Sequence, residues 1–223
     1  NVCDSGISDS EMEELVSKSR LRLTISPEMR AAYEKKYRRK FWLLPPLVSE
    51  ELIRIKPATS CPPAGPPRGV IIGNIWGQRW LDRLREAFRG SGFELDWYCN
   101  QKNPLFLHFD RSELERDGIR WYDPVPGAML ASVLSNYSYA VVPSGGFDDH
   151  DVPSLQAIAE LSLPSKIPFL LATSQLPILV LGDARTAAAR NVERLEIGAS
   201  APYDPAAVRT ALERLLAPET QSA

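Results

Sequence analysis

Cysteine is scarce: Cys3, Cys61 and Cys99 are the only three in 223 residues, widely spaced and without a CxxC pair. That arrangement supports neither a disulfide framework nor a cysteine–zinc site, and it fits a reducing compartment, so a cytoplasmic location is expected. Histidine is scarcer still. His108 and His150 stand alone, no GxSxG element accompanies them, and a Ser-His-Asp hydrolase therefore has no motif here. Charge of one sign is missing too: 26 Lys and Arg face 28 Asp and Glu, and a net charge of −2 creates no global field to gather nucleic acid or hold an anionic membrane. The longest apolar runs, 176–182 and 169–172, fall far short of the ~18 to 20 residues of a membrane span. A soluble chain with no transmembrane segment is expected. Its acidic opening, with Asp4, Asp9, Glu11, Glu13 and Glu14, lacks the basic and apolar blocks of a signal or transit peptide. Because it starts on Asn1, a fragment or processed chain is expected.

What is present is a globular composition, 44% apolar and 24% charged, enough for one large or two small domains. Seven of the nineteen prolines fall between Pro45 and Pro67, in a stretch that reads Pro-Pro three times. Such a stretch neither continues a helix nor donates to a central sheet. It predicts a stiff linker over 57–68 that divides an N-terminal segment, 1–56, from a longer domain, 69–223, with the border near Arg68. In the first segment, a helix is expected over Ser8–Lys18, capped by Ser8 or Asp9, a strand over Leu21–Ile25, and a second helix to Tyr37 with Ser26 as N-cap and Pro27 at its first position. This looks like the closing portion of an incomplete α/β domain that must pack on something else.

Beyond the linker, apolar runs alternate with amphipathic ones. Strands are expected at Gly69–Gly73, Glu94–Cys99, Ile119–Tyr122, Tyr139–Val142 and Ile178–Leu181. Helices are expected at Gln78–Phe88, near Ser112–Arg116, and at Gly127–Asn136, Ser165–Thr173, Ala184–Arg194 and Pro205–Leu216. Strands alternating with helices predict an α/β fold, a Rossmann-like doubly wound parallel sheet.

In such a sheet ligands sit beyond the carboxyl ends of the strands, so the strand-to-helix turns are where chemistry is sought. Gly73-Asn74-Ile75-Trp76-Gly77 opens a helix, where free N–H groups favour phosphate, although it lacks the full GxGxxG spacing of a dinucleotide site. Trp121-Tyr122-Asp123-Pro124-Val125-Pro126 offers a flat aromatic wall for a nucleobase, or else core. Pro143-Ser144-Gly145-Gly146 permits close approach to backbone. The three aspartates and His150 that follow read as a solvated acidic loop rather than a metal site, and no metal is expected. Ser165 is the expected cap of a helix whose first turn carries Lys166. A cation there is disfavoured by the dipole unless an anion is bound nearby, and a lysine beside free amides suits a diphosphate.

The run Pro164-Ser165-Lys166-Ile167-Pro168, then Leu176-Pro177-Ile178-Leu179-Val180-Leu181-Gly182, and later Ala187 to Glu193 followed by Ile197-Gly198, resembles the C-terminal, donor-binding domain of GT-B glycosyltransferases. It is most similar to the retaining family that includes sucrose- and mannosyl-type transferases. Tyr139 to Ser144 is similar to that family's strand ending in Pro-Ser, and Thr24 to Tyr37 with Leu43-Leu44-Pro45-Pro46 looks like the end of its N-terminal, acceptor domain. The resemblance implies that Gly73, Asn74, Trp76 and Gly77 face the donor phosphates, that Trp121 and Val125 touch the base, and that Ser165 and Lys166 approach the diphosphate, with Ser144 also expected at the nucleotide-sugar site. It also implies that no cofactor or metal is needed, the donor being a nucleotide diphosphate sugar. One departure matters: where the family usually places a glutamate on the ribose hydroxyls, this chain has Phe169.

The leading expectation is transfer of a sugar, with retention, to an unknown sugar, lipid or polysaccharide acceptor. Two alternatives stand beside it: a non-catalytic nucleotide- or partner-binding module of the same fold, favoured by Phe169, and a nucleotide-sugar epimerase. No nucleic-acid partner is expected, and exposed apolar surface makes a homo-oligomer an open possibility.

Overall fold

A computed structural model describes residues 8–53, 65–75, 77–100, 110–147 and 153–217. The N-terminal unit runs α1 (Asp9–Lys18), β1 (Leu23–Thr24), α2 (Pro27–Tyr37) and β2 (Trp42–Leu43), with a 3-10 turn at Glu50–Leu52. Its helix starts follow side-chain chemistry. Ser8 closes a reciprocal capping box with Glu11, and the Ser26 hydroxyl accepts the Met29 amide while Pro27, needing no donor, takes the first position. β1 and β2 pair in parallel. The unit leans on the larger domain through the Ser26 hydroxyl, which donates to the Leu161 carbonyl, and through Glu28, 3.5 Å from the Arg194 guanidinium.

The larger domain continues with β3 (Arg68–Ile72), α3 (Gln78–Phe88), β4 (Glu94–Tyr98), α4 (Arg111–Arg116), β5 (Ile119–Tyr122) and α5 (Gly127–Leu134). It closes with β6 (Tyr139–Pro143), α6 (Pro153–Leu161), α7 (Lys166–Thr173), β7 (Ile178–Leu181), α8 (Ala187–Arg194), β8 (Gly198–Ala201) and α9 (Pro205–Leu215). Six strands form one parallel sheet in the order β5-β4-β3-β6-β7-β8. The chain winds outward from β3 in one direction and, after crossing over, from β6 in the other. The carboxyl ends of β3 and β6 therefore flank the topological switch point, where the helices diverge and a crevice opens.

The core lies in two layers, one on each face of the sheet. Ile71, Trp97, Leu179 and Leu181 pack against α3 and α9, and Val70, Val142, Ile178 and Val180 against α7 and α8. All four residues of β7 are buried, as a central parallel strand requires.

Two elements of the larger domain were not foreseen. One is α6, which follows directly on the acidic segment expected to be loop. The other is β8, whose Gly-Ala-Ser-Ala sequence carries no β-branched or aromatic signal. The helix expected from Ala184 starts only at Ala187, because Thr186 is the N-cap and its hydroxyl accepts the Ala189 amide at 3.2 Å. Ser165 occupies the N-cap position of α7 but makes no side-chain cap bond. The reason is local: its backbone is already helical, and the residue three positions on is Pro168, which has no N–H to give.

Candidate functional site

A cavity of about 160 Å³ opens at the switch point. Asn74 and Ile75 from the turn after β3, Trp80 from the first turn of α3, Pro143 and Ser144 at the end of β6, and Pro164, Ser165 and Lys166 entering α7 form its walls. A second cavity, of about 220 Å³, lies on the other side of the same turn, between the ends of β3, β4 and β5, and includes Gly73, Asn74, Tyr98, Cys99, Val125 and Leu130. Asn74 is common to both. The first cavity is polar and cationic on its α7 side; the second is largely apolar.

The turn between them is fixed from several directions. Gly73 has φ +80°, a conformation that favours glycine, and its amide donates to the Tyr98 carbonyl at 2.7 Å while its own carbonyl accepts from the Trp97 indole at 2.8 Å. Lys166 reaches over it. A Cβ at position 73 would stand 3.1 Å from the Lys166 Cε, so the absent side chain is what lets the lysine pass. The Lys166 Nζ donates to the Asn74 carbonyl at 3.1 Å and forms no ion pair among the described residues. Burial pulls this ammonium down to about 8, against 10.5 for an ordinary lysine. It is still mostly protonated at neutral pH, a half-buried cation without a counter-charge in the first turn of a helix. An anion in the cavity would satisfy both Lys166 and the α7 dipole.

Ser144 is buried and held through its backbone: its amide donates to the Leu181 carbonyl at 2.7 Å, and its carbonyl accepts the Tyr203 hydroxyl at 2.8 Å. Tyr98 walls the second cavity as part of a hydroxyl chain, 2.8 Å from the Tyr137 hydroxyl, which donates to the buried Asp96 carboxylate at 2.9 Å. Cys99 is no nucleophile at neutral pH, since burial pushes its thiol up to about 12.

Of the residues singled out from sequence, Asn74, Ser144, Ser165 and Lys166 meet in the first cavity, and Gly73 and Val125 in the second. Trp76 lies outside the described residues, as do both histidines and the acidic run 148–151. Gly77 caps α3 with an extended backbone and lines neither cavity. The Trp121 ring packs 6.5 Å from that of Trp97 on the core side of the sheet. Phe169 packs against the opposite core layer and faces neither cavity. Sequence reasoning passed over Trp80 and the β4 terminus, Tyr98 to Asn100. The second of these was within reach, because every carboxyl-terminal turn of a parallel sheet is a candidate and that of β4 was left aside.

No protein-family model matches this chain, and no curated protein matches it. Among solved structures it is similar to WaaG, a glycosyltransferase involved in lipopolysaccharide biosynthesis, with a TM-score of 0.55 and 12% identity over 95% of this chain and 60% of that one. Weaker likenesses include UDP-bound MnaA of S. aureus (TM-score 0.41, 11% identity, 69% of this chain and 38% of the other) and the calicheamicin glycosyltransferase CalG4 (0.39, 15%, 94% and 47%). The chain thus spans less than two thirds of the length of these neighbours. The likeness to WaaG is one of fold, and it agrees with the Rossmann-like parallel sheet read from the strand order.

Proposed function

We propose that this chain is the donor-binding part of a GT-B glycosyltransferase, holding the diphosphate of a nucleotide sugar at the switch point. The observation that carries this reading is Lys166, a half-buried cation whose ammonium donates to a backbone carbonyl, forms no ion pair among the described residues and faces a cavity at a helix start. The paired cavities support it further: a cationic one for the diphosphate adjoins an apolar one for the nucleoside, with Asn74 between them.

As the glycosidic bond breaks, negative charge grows on the leaving diphosphate. Lys166, in the first turn of α7, stabilises it electrostatically, without proton transfer and without a metal. Retention of configuration follows the resembled family, and the setting is cytoplasmic. No carboxylate lines either cavity among the described residues. Groups that act on an acceptor sugar, lipid or polysaccharide therefore come from outside these cavities, and an epimerase, which needs an acid and a base at the sugar, is the weaker reading.

Calorimetric titration with UDP, GDP, TDP, ADP and the matching monophosphates tests the proposal. One diphosphate should bind selectively and its monophosphate more weakly; if none of them binds, the donor reading fails for this chain. The second reading, a non-catalytic module, draws on Phe169 and on the absence of carboxylates from the described cavity walls. It predicts diphosphate binding with no consumption of the corresponding nucleotide sugar under any acceptor.

A further inference from the structure

A lysine amine that is desolvated and carries no counter-charge is a nucleophile as well as a cation. Of the described lysines, Lys18, Lys35, Lys36 and Lys40 stand exposed on the N-terminal unit, and Lys166 alone lines the switch-point cavity. Its ammonium donates to the Asn74 carbonyl at 3.1 Å and meets no carboxylate among the described residues, and burial brings it down to about 8. The titratable group that bears on it is the Cys99 thiol at the end of β4, which burial pushes up to about 12 and so keeps uncharged at neutral pH.

The surroundings of the amine favour negative charge. Lys166 stands in the first turn of α7, an eight-residue helix whose dipole disfavours a cation at that end and favours an anion. Ser144, only 7% exposed, and Ser165 line the same cavity, and neither hydroxyl makes a hydrogen bond among the described residues. A buried hydroxyl without a partner is uncommon, and here it marks a place for an acceptor.

We propose that Lys166 captures carbon dioxide reversibly as a carbamate, and that this carbamate takes the place of the donor's diphosphate. The neutral Nζ attacks the carbon: a C–N bond forms, one C–O π bond opens onto oxygen, and the nitrogen releases a proton to solvent. Amine and carbon dioxide thus give carbamate and a proton. The nitrogen keeps one N–H, so the hydrogen bond to Asn74 survives. The added group takes the room of about two waters, at roughly 30 Å³ each, in a cavity of about 160 Å³. The site then changes from cation to anion in accord with the α7 dipole, with two serine hydroxyls on its walls to donate. The modification stands on the cavity alone, whereas its antagonism to a diphosphate rests on the donor reading above.

The test equilibrates the whole chain with isotopically labelled bicarbonate at about pH 8, traps carbamates by O-ethylation with a trialkyloxonium salt, and maps the label by peptide mass spectrometry. About half of Lys166 is then neutral amine, against roughly 0.3% of a lysine at 10.5, so its label should exceed that at Lys18 or Lys35 by at least about a hundredfold. The α-amine of the chain also reacts and is told apart by the peptide that carries it. Lys166→Met should remove the corresponding carbonyl resonance in the carbon NMR spectrum with an unchanged thermal melt, and the wild-type map decides the point whether or not that variant folds. A nucleoside diphosphate that binds should protect Lys166 from label, and carbon dioxide at half occupancy should about double its apparent Kd. No label at Lys166, or label no greater than at the exposed lysines, overturns the proposal and leaves the donor site untouched. Label that a bound diphosphate does not diminish overturns it too. Label at Lys166 in a chain that binds no diphosphate upholds the carbamate and overturns the donor reading instead.

Discussion

Replacing Lys166 by Met keeps the aliphatic stem and removes the charge, and the structure gives this change two effects of opposite sign. In the donor complex the ammonium would make a charge-assisted hydrogen bond to a phosphate oxygen. Such bonds contribute about 1.5 to 3 kcal/mol, so Lys166→Met should raise the Kd for the preferred nucleoside diphosphate by roughly ten- to 150-fold. In the free protein the ammonium is desolvated and, among the described residues, donates to the Asn74 carbonyl without an ion pair, so its removal should leave the melting temperature unchanged or higher. Proton linkage separates the effects further. Burial lowers this lysine from 10.5 to about 8, so between those values the unfolded chain holds more protons than the folded one, and stability rises with pH across that window. The variant should lose that rise. Urea denaturation between pH 7 and 10, beside calorimetry with the diphosphate, reads both effects. An unchanged Kd together with a clear loss of stability would refute the reasoning and make Lys166 a structural residue.

The same lysine gives the wild-type protein a pH profile. Diphosphate affinity should fall as pH rises through about 8, where the free site loses its cation, and calorimetry in matched buffers should detect proton uptake on binding near that pH. Gly73→Ala should destabilise by about 1 to 3 kcal/mol in urea titrations, because φ +80° strains any other residue and the new methyl group meets Lys166 at 3.1 Å. It should also weaken diphosphate binding; a variant as stable and as tight-binding as wild type would show that the turn relaxes freely. Phe169→Glu tests whether the missing carboxylate is a lost ribose contact. Since Phe169 packs on the core layer and lines neither cavity, no gain in affinity is expected, and a tighter complex would show that the ring merely displaces an otherwise functional site.

Much of this architecture is legible wherever local chemistry decides it. The caps at Ser8 and Ser26, the proline at position 27 and the four apolar residues of β7 each follow from a short stretch of chain, and they form as their sequences indicate. β8 does not, because its composition answers a tertiary demand: a Cβ at Gly198 would fall 1.9 Å from the Ile178 carbonyl oxygen, so the small residue is set by the neighbouring strand. α6 is similar, for Gly145 gains its reason only once Ala159 of that helix lies against it, 2.1 Å from where a Cβ would be. Within the site, Lys166 and Ser144 were marked by their places at a helix start and a strand end. The place of Trp121 was also written in the sequence, and in a stronger signal than aromatic character. It stands two residues after the fully buried Ile119 on the same strand, so alternation sends both to the core face.

The way the cation is held bears on what this chain does alone. A cation of structural use in a protein interior is ordinarily matched by a carboxylate, as the Arg85 guanidinium is by Asp117 at 2.6 Å. Lys166 is instead held over a glycine whose backbone is fixed on both sides, and the described walls of its cavity contribute no acid. Such a site is organised before any ligand arrives and is neutralised only by one, which is the condition for stabilising charge that develops during a reaction. It does not supply the groups that would select or activate an acceptor. Under the proposed function binding and turnover are therefore separable: the proposed diphosphate site should persist when transfer is lost.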